Sequence, residues 1–144
     1  MLDVGITQNI LGLDLPAWFL NPDKDLINRG SIVQAFIGQE FLAYASPKLK
    51  TDLFFWKRVS SGAQSEVDYL YDYEQTILPI EVKSGHGSTL RSMHQFLTEH
   101  KTCKKGIRFW SENYLMSDQI DSRPLYAVAT LAHHDQLQAL HSLL

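Results

Sequence analysis

Three residues in two short stretches have the types and spacing that metal-assisted hydrolysis of a phosphodiester needs. Asp68 lies in a run at residues 65–69 that contains Val and Tyr, and Glu81 and Lys83 flank Val82 in a second such run at residues 79–85. Alternate side chains of a strand share a face, so Glu81 and Lys83 are expected to point the same way. If Asp68 lies on the neighbouring strand, two carboxylates and one lysine converge. Such a group can hold Mg²⁺ or Mn²⁺ and orient a water molecule.

The same residues also have an ordinary structural explanation. Asp, Glu and Lys are common on the solvent-facing side of a strand, and Glu81 with Lys83 could form a surface ion pair that stabilises the fold very little. The catalytic alternative requires a sheet that brings Asp68 next to Glu81. The order of the elements along the chain therefore bears directly on the choice.

The composition is typical of one globular domain that covers residues 1–144. Of its 144 residues, 44% are hydrophobic and 20% are charged, and no apolar run approaches the roughly 20 residues that cross a bilayer. The first residues lack the basic segment of a signal peptide, and a lone Cys103 is typical of a reducing compartment. We therefore expect a cytoplasmic protein with no membrane-spanning segment, in which Cys103 is a structural thiol.

The charge pattern gives only local support for a nucleic-acid partner. The net charge is −3, but residues 83–108 contain six basic residues and one acidic residue, a local charge of +5. A basic surface beside an acidic cluster suits a site that cuts phosphodiesters. A solvated helix followed by a lysine-rich turn explains the same pattern equally well.

The hydrophobic pattern predicts helix, three strands, helix, two strands and helix. The predicted elements are a helix at residues 23–45 capped by Asp23, strands at 53–58, 66–73 and 76–83, a helix at 88–100 capped by Ser88, strands at 106–110 and 125–131, and a helix at 133–144. Residues 1–22 are apolar but irregular, as in an extension that packs against another domain or chain. This order predicts an α/β (α+β) fold with a central mixed β-sheet flanked by helices.

With Glu40 on the first helix, Asp68 on the second strand and Glu81-x-Lys83 on the third, the chain resembles the PD-(D/E)XK nuclease superfamily. It is more closely similar to the C-terminal domain of unknown function that follows the ATPase core in many bacterial and archaeal AAA+ ATPases. The runs that carry this similarity are Asp3-Val4-Gly5, Gly38-Gln39-Glu40-Phe41, Leu53-Phe54-Phe55-Trp56-Lys57-Arg58, Glu66-Val67-Asp68-Tyr69 and Ile80-Glu81-Val82-Lys83-Ser84-Gly85.

The resemblance implies a restriction-endonuclease-like core and a role for each of the matching residues. Asp68, Glu81 and the carbonyl of Val82 would be ligands of Mg²⁺ or Mn²⁺. Lys83 would position the attacking water and stabilise the charge that develops on the phosphoryl group. Glu40 would bind a metal-bound water, and a Gln at the position of Gln95 steadies the site in some branches. Glu40 and Gln95 could equally be ordinary exposed helix residues.

Two departures limit what the resemblance implies. Val67 precedes Asp68 where the superfamily often has a proline, which puts the match to the motif at this position in doubt, although the ATPase-linked branch shares this feature. The chain also contains no Gly-x-x-x-x-Gly-Lys-Ser/Thr phosphate loop, so any AAA+ ATPase module would lie elsewhere, in cis or in trans.

We therefore expect a divalent-metal-dependent nuclease-like domain that acts on nucleic acid, with DNA favoured. The alternative is a catalytically silent module of the same fold that docks an ATPase or binds nucleic acid without cutting it. The apolar residues 1–20 favour docking. The intact set of Asp68, Glu81 and Lys83 favours the enzyme, because a silent copy has no need of all three.

Overall fold

The computed structural model describes residues 3, 5–6, 10, 29–45, 51–60, 63–73, 75–84 and 89–131. Its elements, in chain order, are α1 (Arg29–Tyr44), β1 (Phe54–Ser60), β2 (Ala63–Tyr73), β3 (Thr76–Lys83), α2 (Arg91–Glu99), β4 (Gly106–Trp110), β5 (Leu115–Ser117), β6 (Ile120–Pro124) and a 3₁₀ turn (Leu125–Ala127). Residues 128–131 continue from that turn as a helix. The expected mixed α/β architecture is confirmed.

The six strands form one sheet in the order β1-β2-β3-β4-β6-β5. The pairs β1–β2, β2–β3 and β5–β6 are antiparallel, whereas β3–β4 and β4–β6 are parallel. The crossover from β3 to β4 runs through α2, as a parallel pair requires. The carboxyl ends of β3, β4 and β6 therefore lie at one edge of the sheet, which is where open α/β sheets bind ligands.

Two apolar clusters cover the two faces of the sheet. The α1 face is the one on which Ile37 and Phe41 of α1 and the helical residues Val128 and Leu131 pack against Ile80 and other strand residues. The α2 face carries the second cluster, which consists of Val67, Met93, Phe96, Leu97, Cys103 and Ile120. Cys103 is buried there as a free thiol, which agrees with a structural role. Gly106 allows the close approach of α2, because a Cβ atom at that position would lie 2.5 Å from Met93 Sδ.

The predicted strands at residues 76–83 and 106–110 coincide with β3 and β4. The second strand begins three residues earlier than predicted, at Ala63. The predicted caps Asp23 and Ser88 and the closing helix at residues 133–144 lie outside the described residues. The described part of the first helix begins at Arg29. The second helix begins at Arg91 after Leu90, which makes no side-chain capping bond.

The predicted strand at residues 125–131 is wrong. This apolar segment forms the 3₁₀ turn and the helical residues that follow it, and Val128 and Leu131 are buried three residues apart, as on one face of a helix. The sheet is completed instead by the hairpin of β5 and β6. It turns at Asp118, which has a φ of 48°, and at Gln119. Its sequence was not predicted as a strand because β6 carries the charged residues Asp121 and Arg123, which form an ion pair with each other in the fold.

The basic surface expected at residues 83–108 is smaller than the sequence predicted. Arg108, counted above in a basic surface, lies on the central strand β4 and is 8% exposed, so it is not part of a solvated patch. Of the remaining basic residues of that segment, Lys83 is half-buried, and Arg91, Lys101, Lys104 and Lys105 are exposed. No helix within the described residues has the length and apolar character to traverse a bilayer.

Candidate active site

Asp68 lies beside an irregularity in β2, at the point where the pairing of β2 with β3 ends. We call this region, which consists of Asp68 on β2 and Glu81, Val82 and Lys83 on β3, the fork. The pairing of β1 with β2 shifts from Phe54–Leu70 to Trp56–Val67, so β2 carries one extra residue there. As a result Val67 packs on the α2 face, while Tyr69, two residues later, packs on the α1 face. The ladder from β2 to β3 begins at the Tyr69–Ile80 pair, and beyond it the backbone N–H of Val82 donates to Asp68 Oδ2 at 2.7 Å.

Glu81 and Lys83 lie together on β3, on the opposite face from Ile80 and Val82, whose side chains belong to the α1 face. Lys83 Nζ lies 2.5 Å from Glu81 Oε1. Glu81 is only 6% exposed, and its Oε2 is buried with no hydrogen-bond partner in the described part of the chain. The ion pair predicted as an ordinary surface alternative is therefore formed, but its carboxylate is buried.

In the absence of a cation, burial makes it unfavourable for Asp68 and Glu81 both to be ionised. Burial raises the pKa of Asp68, against the lowering effects of the Val82 N–H and the Lys83 charge. Burial also raises the pKa of Glu81, where the hydrogen bond from Lys83 acts in the opposite direction and the charge of Asp68 adds to the rise. The charge of Asp68 therefore acts on Glu81 and makes ionisation of the Glu81 carboxylate less favourable. A cation would offset that effect.

The third acidic residue that acts on this site is Glu66, which was not among the site residues predicted from the sequence. Its charge raises the pKa of both Asp68 and Glu81. The signal that could have identified it is its position two residues before Asp68 on the same strand. Glu66 is exposed, and its backbone N–H lies 3.3 Å from Ser92 Oγ of α2.

Within the described residues no hydrogen bond or ion pair joins Glu40 or Gln95 to Asp68 or Glu81. Glu40 is half-buried on α1. Gln95 bonds elsewhere: its Oε1 accepts from Ser65 Oγ at 2.6 Å, and its Nε2 donates to Glu99 Oε1 at 3.1 Å. Their proposed roles in the site remain predictions.

The donor set of the fork fits a hard divalent cation held by few protein ligands. Asp68, Glu81 and the carbonyl of Val82 are all oxygen donors, and that carbonyl faces the fork because the N–H and C=O of a strand residue point to the same neighbour. Glu81 Oε2 also has unsatisfied lone pairs. Within the described residues no three side chains of His, Cys, Asp or Glu form a ready-made metal cage. Mg²⁺ suits such a site, because it commonly binds one or two carboxylates and keeps several waters.

Access to Asp68 is provided by a cavity of about 220 Å³. Asp68 and Glu66 line it together with Phe54 and Phe55 of β1 and Gln34 of α1. The wall next to Asp68 is Tyr69, whose hydroxyl donates to the Gln34 carbonyl at 2.8 Å. Burial and the charge of Asp68 raise the pKa of Tyr69 to about 12, so this hydroxyl stays protonated as a hydrogen-bond donor.

The comparison with known proteins gives one match, to a family model over residues 29–128, which includes α1, the whole sheet and all the residues of the fork. No curated protein and no solved structure matches the chain. Because the matched residues make up more than half of the sequence, the chain belongs to the family described as a domain of unknown function, DUF4143.

Proposed function

We propose that this chain is a divalent-metal-dependent nuclease-like domain that hydrolyses phosphodiester bonds, with DNA as its expected substrate. The observation that supports the proposal best is the fork itself. Asp68 and Glu81 come from different strands, and the charge of Asp68 raises the pKa of Glu81. Glu81 Oε2 is buried without a partner within the described residues, while Lys83 Nζ lies 2.5 Å from Glu81 Oε1. A surface ion pair does not require a second, half-buried carboxylate beside it.

Each residue of the fork has a role in this proposal. Asp68 and Glu81, with the Val82 carbonyl, would hold Mg²⁺ or Mn²⁺, which when bound supplies charge stabilisation to the phosphoryl oxygens and lowers the pKa of a water. The Lys83 ammonium donates hydrogen bonds, so it orients the attacking water and stabilises charge on the phosphoryl group. In the reaction the water oxygen bonds to phosphorus, the ester P–O bond breaks, and the water proton ends on the leaving oxygen.

Cleavage of plasmid, linear and branched DNA and of RNA with Mg²⁺ or Mn²⁺ tests the proposal. We expect the wild-type chain to cut at least one of these substrates, and Lys83→Ala and Asp68→Asn to lower the rate at least a hundredfold. Asn is chosen because Asp68 accepts the Val82 N–H, which Ala would leave unpaired. The matched control is Lys57→Ala, which removes an exposed lysine from β1. Failure of the wild-type chain to cut any substrate would refute the proposal.

A second candidate function is docking of a protein partner, for which an AAA+ ATPase module in cis or in trans is the expected class. It is favoured by the edge strand β1, where Phe54 is 63% exposed and Phe55 is 61% exposed. Trp18 and Phe19, which suggested docking from the sequence, lie outside the described residues. In this alternative Phe55→Ser would abolish partner binding, whereas Lys83→Ala would leave it intact.

A further inference from the structure

Arg108 and Trp110 lie beside the fork on the same face of the sheet. Across the parallel pair of β3 and β4, Arg108 is the register partner of Glu81, and Trp110 is the partner of Lys83. Paired residues of neighbouring strands are about 4.8 Å apart and point to the same face. The four side chains therefore form a two-by-two array at the carboxyl ends of β3 and β4.

The guanidinium group of Arg108 is held in a fixed plane. Its Nε donates to Ser122 Oγ on β6 at 3.1 Å, and its central carbon lies 3.6 Å from the centroid of the Trp110 ring. Trp110 is held in turn, because its indole N–H donates to the Asn113 carbonyl at 3.0 Å. Stacking on an aromatic face leaves the terminal nitrogens of an arginine free to form planar, bidentate hydrogen bonds.

Arg108 and Glu81 have opposite charges and adjacent positions, but they do not pair. Glu81 Oε2 is buried without a partner, and the arginine next to it is bonded to Ser122 instead. Within the described residues the terminal nitrogens Nη1 and Nη2 of Arg108 have no hydrogen-bond acceptor. If this arginine served only to neutralise Glu81, the two would be joined. Glu81 Oε1 pairs with Lys83 instead, and the pKa of Arg108 is lowered by burial and raised by the charge of Glu112. The guanidinium of Arg108 is therefore the group of this array that can bind an anion from outside the chain.

We propose that Arg108 binds a phosphate group of the nucleic-acid backbone next to the scissile phosphate at the fork, an inference that rests on the proposed nuclease function. The planar guanidinium matches two phosphate oxygens. Trp110 is 7% exposed and its ring is covered by Arg108, so no base can stack on it. Arg108 is itself only 8% exposed, so a phosphate would reach only the terminal nitrogens of its guanidinium. The contact is therefore made to the backbone, and it should position the strand without selecting its sequence.

DNA binding by Arg108 variants tests this proposal. All proteins carry Lys83→Ala so that no DNA is cut, and anisotropy with two labelled 20-base-pair duplexes of unrelated sequence is measured in Mg²⁺. Arg108→Gln should weaken both complexes equally, by about ten- to a hundredfold, and Arg108→Lys by less, because a charge-assisted bidentate contact is lost or reduced. Lys57→Gln, which removes an exposed lysine from β1 and lies outside the basic segment at residues 83–108, is the control and should change binding less than threefold.

The outcomes separate this proposal from the nuclease assignment. Equal DNA affinity of Arg108→Gln and its parent would overturn the role of Arg108 even if the wild-type chain cuts DNA. Weakened binding in Arg108→Gln supports that role even if no cutting is found. Absence of binding by the parent protein overturns it as well.

If the Arg108 variants do not fold, NMR spectra of the protein that retains Arg108 provide the test. The arginine Nε–H resonance that shows contacts to the Trp110 ring should shift on addition of the duplex, and an unchanged resonance at saturation would overturn the proposal.

Discussion

The carboxylate of Asp68 accepts the backbone N–H of Val82 at 2.7 Å, in place of the strand residue that would bond there in a continuous ladder. The contact joins β2 to β3 where their pairing ends, and so it fixes one site carboxylate against the strand that carries Glu81 and Lys83. It also gives Asp68 a structural role besides its proposed one, because without it a backbone donor of β3 would lack a partner. Four predictions concern the fork and the sheet that supports it.

Divalent cations should stabilise the wild-type chain. A cation that binds only the folded state adds about 2.7 kcal/mol to the free energy of unfolding at a hundred times its dissociation constant. We expect a rise in melting temperature with millimolar Mn²⁺, and no rise in Asp68→Asn, which keeps an acceptor for Val82 but removes a charged ligand. Glu99→Gln, which alters a carboxylate on α2, should respond like the wild type. An equal rise in Asp68→Asn would contradict the assignment of the site.

Glu81→Gln should stabilise the metal-free protein at neutral pH. The pKa of Glu81 is raised in the folded state, so the folded state holds its proton to higher pH than the unfolded state does. Stability from this group is therefore lost as pH rises through the raised pKa. A neutral Gln removes the cost of burying a charge but not that of burying a polar group, so it should raise the free energy of unfolding near pH 7.5 by about 1 kcal/mol. The gain should shrink as pH falls below the raised value.

Urea unfolding in EDTA at pH 7.5, 6 and 5 measures this difference. Glu66→Gln is the matched control, because Glu66 is exposed and its replacement should change the free energy of unfolding by less than about 0.5 kcal/mol. A Glu81→Gln protein that is less stable than the wild type at pH 7.5 would show that the Lys83 ion pair outweighs the burial of the carboxylate.

Gly38→Ala and Tyr69→Phe should be coupled. A Cβ atom at Gly38 would lie 2.6 Å from Tyr69 Oη, and that hydroxyl cannot easily move because it is bonded to the Gln34 carbonyl. Gly38→Ala alone should cost about 1–3 kcal/mol through overpacking. Tyr69→Phe removes the clashing oxygen, so the double variant should be at least about 0.5 kcal/mol more stable than the two single effects predict. Strict additivity in chemical unfolding would contradict this account of the contact.

Two ion pairs should differ in their contribution to stability. Arg123 Nη2 lies 2.7 Å from Asp121 Oδ2, and the side chains are 23% and 8% exposed, whereas those of Arg58 and Glu99 are 45% and 33% exposed. Arg123→Ala leaves a buried carboxylate unpaired and should cost about 3 kcal/mol. Arg58→Ala should cost less than about 1 kcal/mol, because exposed pairs contribute little. Similar losses of the two variants in urea unfolding would contradict the distinction.

Local patterns in the sequence determined β3, β4 and the shared face of Glu81 and Lys83. Strand alternation has a period of two and depends only on neighbouring residues, so Glu81-x-Lys83 could be read directly. The apolar run that forms β3 and the short apolar β4 were bounded correctly for the same reason. The β5–β6 hairpin was missed because charged residues such as Asp121 and Arg123 are typical of a loop. In the fold these two residues form an ion pair, which allows β6 to be buried.

The composition of the site depended on the tertiary structure. Three features of the site arise from contacts between residues that are distant in the chain. They are the extra residue of β2 beside Asp68, the effect of the Glu66 charge on the pKa of both carboxylates, and the register that sets Arg108 beside Glu81. Strand register and bulges are decided by packing against both faces of the sheet, and one sequence does not display them. The sequence therefore identified the types of the candidate site residues, whereas their burial, their partners and the addition of Arg108 were decided by the fold.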